Sequence, residues 1–349
     1  MKTQNKHVFF FFDDDRDINI GTKDPLIRRF VSMDLLGLNE IHITNKIKDQ
    51  IPDTWSKHFY LFEDVETMKI GALDYGVQNL HAFRELKDDG TSLVWYKNRY
   101  LVYMDGYLRS LSCSRKYILF VTDFYRRLLA SIDLLVGCQI VHNNIGFKSL
   151  VVDFETPILT NFRFGLDLKT NSKSNIKLFF KQYAPDRLQW ALEIHLLCYL
   201  QTNKLDSLSC YNIETVVKSV VAENTFLKTF GNKIVAEYID EGINYFSKYV
   251  NKNTDWIIDD ILRYANTWDN YALSVAYLKI IIDLYSNISN KNSKSVNKNN
   301  FLIQIMRLLV TNIHSNPLKR LSVKDTTNKF AKLMEECNIN DLYLLVCKL

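Results

Sequence analysis

Proline and glycine are scarce in this 349-residue chain, at 5 and 11 residues. That excludes collagen-like and Gly/Pro-rich low-complexity architectures. The six cysteines (Cys113, Cys138, Cys198, Cys210, Cys337, Cys347) form no C-x-x-C pair, and most lie in apolar runs. Neither a disulfide framework nor a cysteine-based zinc site is expected, and a reducing compartment is. No sign of charge dominates: 44 Lys and Arg face 39 Asp and Glu, a net charge of +5. No basic cluster is dense enough for a nucleic-acid footprint, so no nucleic-acid partner is expected. Long uncharged runs are also missing. The most apolar stretch, 274–285, is broken by Lys279 and Asp283, which argues against a membrane span. The run of aromatics at 8–12 is too short for a signal peptide and leads into Asp13-Asp14-Asp15, with no cleavage site. An intracellular, cytoplasmic chain without a membrane partner is the expectation.

What is present is ample apolar material, 47% of the residues, enough for one large domain or two lobes. Residues 1–110 carry short β-like runs at 8–12, 58–62, 92–96 and 99–104, with a turn signal at Asp88-Asp89-Gly90. Between the first two runs, Leu38, Ile41, Ile43, Ile47 and Ile51 fit a helix over 36–51. The pattern then turns helical. Phe120, Val121, Phe124, Leu128, Leu129, Ile132 and Leu135 line one face of a helix over 117–136. Two β-like runs follow, 150–152 and 157–160, split by a turn at 153–156; beyond 189 the chain reads mainly as helix. The Ser/Asn/Lys-rich stretch 286–300 reads as a solvated loop. The order predicts an α+β chain, with a β-rich part over 1–106 and a helical part over 107–349.

The segment after the long helix is Ile140-Val141-His142-Asn143-Asn144-Ile145-Gly146-Phe147-Lys148-Ser149-Leu150-Val151-Val152. It resembles the protein-kinase catalytic loop, H-R-D-I-K-x-x-N followed by a strand. Ile158-Leu159-Thr160-Asn161-Phe162-Arg163-Phe164 resembles the strand ending in the kinase D-F-G motif. Other pieces keep the order. Glu40 resembles the C-helix glutamate, and Met104-Asp105-Gly106 falls at the hinge. Ala184-Pro185-Asp186 or Ala191-Leu192-Glu193 resembles A-P-E. Trp268-Asp269-Asn270-Tyr271-Ala272-Leu273-Ser274 resembles the start of the F-helix, and Asn316-Pro317-Leu318-Lys319-Arg320 the late N-P-x-x-R segment. The resemblance covers roughly 30–335 and is closest to kinase-like proteins of large eukaryotic DNA viruses. It implies a two-lobed kinase-like fold, with a reduced β-rich N-lobe, a large helical C-lobe and a helical insertion at about 201–262.

The resemblance also implies lost chemistry. The catalytic-loop Asp that orients the substrate hydroxyl and accepts its proton matches Asn144, and an amide takes up no proton there. The loop Lys matches Gly146, and the loop metal-binding Asn matches Ser149. The D-F-G Asp matches Asn161, or Arg163 in the other register; neither is a carboxylate, which magnesium prefers. No glycine precedes Gly21, so no Gly-rich phosphate cover exists. Lys23 is the best-spaced partner for Glu40, yet its setting, Gly21-Thr22-Lys23-Asp24-Pro25, reads as a turn. No metal and no cofactor are expected; ATP and magnesium enter only if the chain is active.

Four further residues carry structural expectations. His142 braces the loop, as in kinases. Glu193, with Asp186 as the rival carboxylate, forms a buried ion pair with Arg320. Asp269 caps the helix starting at Asn270 or bonds back to the histidine loop. His195, in an apolar run, reads as a hydrogen-bonded core histidine and not a ligand. The leading expectation is therefore a pseudokinase-like protein-binding or scaffold module, set by the resemblance in a host cytoplasm or a virion. The alternatives are a divergent active Ser/Thr protein kinase and a viral structural protein.

Overall fold

The computed structural model describes residues 26–32, 35–67, 91–97, 101–111, 115–170, 176–177, 179–291 and 301–337. The run at 8–12, Lys23, the turn at 88–90 and residues 292–300 lie outside the described residues. The chain is α+β, mostly helical with small sheets. It divides into two units: 1–107 with 147–165, and 108–146 with 166–349.

In the first unit, β1 (Leu26–Ser32), β2 (Phe62–Thr67) and β3 (Thr91–Lys97) form an antiparallel sheet with β3 central. Helix α1 (Leu35–Gln50) follows β1. Its buried face holds Glu40, Ile43, Thr44 and Ile47, the i, i+3, i+4, i+7 spacing of one helical stripe. Leu38, expected on the apolar face, is exposed instead.

The strand expected at 58–62 is not one. Pro52-Asp53-Thr54 opens a turn, and α2 (Trp55–His58) takes its first residue. Phe59 then bridges singly to Leu159 before the ladder starts at Phe62. The aromatics there signalled burial, not strand pairing: Phe59, Tyr60, Leu61 and Phe62 are all buried.

A second sheet has the order β4-β6-β7. It joins β4 (Leu101–Tyr103) to the hairpin of β6 (Leu150–Asp153) and β7 (Thr156–Leu159). Pairing of Val102 with Val152 ties segment 147–165 to the N-terminal part of the chain. Tyr60, Phe62, Leu101, Val151 and Ile158 form a buried cluster over this sheet. Met104 starts a helix, α3 (Met104–Ser110), so the β-like run at 99–104 ends a residue early.

The second unit is helical. Helix α4 (Arg115–Gly137) buries Phe124, Tyr125, Leu128, Leu129, Ile132 and Leu135. It leads into β5 (Ile140–Val141), which pairs with β8 (Leu166–Asp167). Then come α5 (Leu192–Thr202), α6 (Cys210–Glu223), α7 (Thr225–Thr229), α8 (Asn232–Phe246) and α9 (Thr254–Leu262). Helix α10 (Trp268–Lys291) is buried on nearly every side from Trp268 to Leu278, as a helix at the centre of a core must be. It also carries 286–291, which composition had assigned to a loop. Once a helix is nucleated by its buried part, each added turn costs little even with Ser and Asn. Helices α11 (Phe301–Asn312) and α12 (Val323–Glu336) complete the unit. The Tyr125 ring of α4 lies 4.7 Å from Tyr277 of α10 and 4.9 Å from Phe330 of α12. Among the described residues no helix is long and apolar enough to cross a membrane.

Candidate functional site

In the second unit, the loop after β5 holds His142, Asn143 and Asn144. The Asp269 carboxylate accepts from the backbone N–H of His142 at 2.7 Å and of Asn143 at 2.9 Å. Asp269 lies in the first turn of α10; of its two expected roles, the structure shows the bond back to the loop. Burial pushes its carboxyl up to about 7, against the two N–H donors that favour the anion. His142 is fully buried, and its Nδ1 accepts from the Asn144 N–H at 3.3 Å.

Asn143 sits at φ 58°, the left-handed region that asparagine tolerates better than most residues. The loop holds it from both sides: its N–H goes to Asp269, and its carbonyl accepts from Trp190 Nε1 at 3.0 Å. Trp190 was not singled out from sequence for this contact; the only signal was its place in the Trp-Ala-Leu-Glu run.

Below this loop, Glu193 of α5 and Arg320 meet in a bidentate pair, with Nη1–Oε1 2.5 Å and Nη2–Oε2 2.9 Å. Both side chains are buried, and Trp268 Nε1 also donates to Glu193 Oε1 at 2.9 Å. The third Arg320 nitrogen, Nε, donates to the His314 carbonyl at 2.8 Å. Asp186, the rival carboxylate, is exposed. A buried pair in which both carboxylate oxygens and all three guanidinium nitrogens are engaged is structural: it fixes α5 against the segment before α12.

His195 is fully buried, as expected of a core histidine, although neither ring nitrogen makes a hydrogen bond of good geometry. Backbone groups of Arg187 and Trp190 lie near enough to favour its protonated form, but burial dominates and pulls its pKa down to about 4.

Gly146 also lies in the second unit; Ser149, Asn161, Arg163 and Glu40 belong to the first. Ser149 is buried at the start of the hairpin, where its carbonyl accepts from the Thr160 N–H at 3.0 Å. Asn161 follows Thr160 at φ 67°, ψ 65°, and begins the 3-10 turn Phe162–Phe164. Its Oδ1 is buried without a hydrogen-bond partner. The turn is clamped by α1. Asn39 Nδ2 donates to the carbonyls of Arg163 at 3.0 Å and Gly165 at 2.7 Å. A Cβ on Gly165 would come within 3.2 Å of Ile43 and 3.1 Å of the Phe162 carbonyl. Glu40 is buried on the same helix, while Lys23, its expected partner, lies outside the described residues. Asn39 carried no signal in the sequence.

The structure therefore brings together His142 with Asp269, Glu193 with Arg320, and Ser149 with the strand end at Asn161. Among the described residues no three His, Cys, Asp or Glu side chains gather as a ligand set for a metal ion. The charged groups assembled are engaged: the Asp269 carboxylate on the amides of the loop, and Glu193 on Arg320, hold the loop and the helices in place. No protein-family model matches the chain, and no curated protein matches it.

Proposed function

We propose that the chain is a two-lobed, protein-kinase-like protein that has lost phosphoryl transfer and works as a protein-binding or scaffold module. The observation that carries this reading is Asn161. It stands where the motif resemblance puts the metal-binding aspartate, at the left-handed entry to a half-buried turn, with an uncharged, buried Oδ1. Support comes from the other substitutions along the same motif, Asn144, Gly146 and Ser149. It comes also from the frame that has been kept: Asp269 on the loop amides, and the buried Glu193–Arg320 pair. A neutral amide carbonyl is a weak ligand for magnesium beside a triphosphate, and an amide cannot receive the hydroxyl proton. Several such losses act as a unit, so keeping one part of the machinery restores little.

Thermal unfolding with ATP, with and without magnesium, tests the proposal. A nucleotide at a hundredfold excess over its dissociation constant adds about 2.7 kcal/mol, which for a chain of this size is a shift of roughly 4 °C. The expected result is no magnesium-dependent shift and no labelled γ-phosphate on any protein acceptor. Phosphate transfer that disappears on Asn144→Ala or Asn161→Ala would establish a divergent active kinase instead.

A further inference from the structure

The β6–β7 hairpin ends in a turn that neither the backbone nor the core explains. Asp153 pairs with Thr156, so the connection is two residues long, Phe154 and Glu155. Phe154 takes φ 55°. The first residue of such a turn is normally glycine or asparagine, because a Cβ crowds the backbone there. Three of the other five non-glycine residues with positive φ among those described are asparagines, and Phe154 is the sole aromatic. Phe154 is also 78% exposed, the most of any large hydrophobic residue described. The residue is thus unfavourable twice, in backbone strain and in exposed apolar surface. The stem is firm by contrast: Val151, Val152, Pro157, Ile158 and Leu159 are all buried.

We propose that the tip Asp153-Phe154-Glu155 is a docking element that inserts the Phe154 ring into an apolar socket on a partner protein. Strained residues that persist against local preference concentrate at functional contacts, and aromatic anchors in partner pockets carry most of an interface's energy. The exposed Glu155 carboxylate beside the ring sets the chemistry of the rim: the socket is bordered by Lys or Arg. The hairpin presents the ring at the end of a fixed stem, so little ordering is needed on binding. The proposal stands whether or not the chain transfers phosphate.

Two measurements on the full chain test it. Phe154→Gly removes the strain and the ring together, so its melting temperature should equal or exceed the parent's; a lower one would give the ring a structural role and overturn the proposal. Phe154→p-benzoylphenylalanine is then irradiated in the cells that make the protein, and the adduct peptide is sequenced. The expected result is one adduct, on apolar residues of a different protein flanked by Lys or Arg. Glu155→Lys should weaken it about tenfold or more. No adduct, an adduct to a second copy of this chain, or one indifferent to Glu155→Lys overturns the proposal.

Discussion

Arg320 has three of its nitrogens committed inside the protein, two to Glu193 and one to the His314 carbonyl. Removing one member of such a pair strands a buried charge, at a cost of about 3–5 kcal/mol. Arg320→Ala should therefore lower the denaturant midpoint strongly. The double replacement Glu193→Leu with Arg320→Met should recover most of that loss, because it removes both charges together. A double variant as unstable as Arg320→Ala would mean that the pair itself, and not the avoidance of a lone charge, holds the unit. His195 makes a different prediction. Its pKa is about 4 in the fold and 6.5 normally, so the unfolded chain takes up a proton between those values and the folded chain does not. Stability should fall on acidification from pH 6.5 to 4, by an amount on the order of 3 kcal/mol from this residue. His58 and His314, also lowered by burial, act with the same sign. Asp269 runs the other way: its raised pKa gives stability at low pH that is lost as pH rises through about 7. His195→Phe, among the rings of Tyr183 and Trp190, should flatten the acid limb of the stability–pH curve. An unchanged limb would show that His195 is not buried in its neutral form.

Helix α1 and the turn at 162–165 behave as one element. The helix donates twice from Asn39 and leaves no space for a side chain at Gly165. The obstacle there is Ile43, β-branched and fully buried, whose χ1 has little freedom in a helix. Gly165→Ala should cost about 1–3 kcal/mol. Asn39→Ala should cost a similar amount, about 1–3 kcal/mol, by removing a donor from the buried Gly165 carbonyl and from the part-buried Arg163 carbonyl. Both should speed hydrogen exchange across 40–47; a change confined to 162–165 would mean the helix does not depend on the turn. This coupling was not legible in the sequence, since it joins residues 124 and 126 positions apart through a side chain that marks no pattern. Helix α4 was legible, because a long amphipathic repeat is a local signal. The β6–β7 hairpin was legible for the same reason. The aromatic run before β2 misled because burial and strand pairing favour the same residue types.

At the scale of the molecule, the positions that resemble kinase machinery are scattered over 40–320 and fall in two units. Order along the chain carries the resemblance; what each residue does depends on neighbours that the order does not reveal. Asp269 shows this. Its place before a helical run left two roles open, and only the fold shows its carboxylate on the amides of residues 142 and 143. On the proposed kinase-like reading, the same dependence makes a single replacement insufficient and sets the last prediction. Asn161→Asp puts a carboxylate where Oδ1 is buried and unpaired. An unpaired buried charge is costly and raises its own pKa, so this variant should melt below the parent in a chelator. If position 161 keeps the geometry of a metal ligand, magnesium should recover part of the loss in the variant and do nothing for the parent, as binding to the folded state alone requires. Phosphate transfer should still be absent, because Asn144 offers no base and Gly146 no lysine. If magnesium left the variant's melting temperature unchanged, position 161 would not stand at a metal site, and the kinase-like reading of the Asn161-Phe162-Arg163 turn would fail with it.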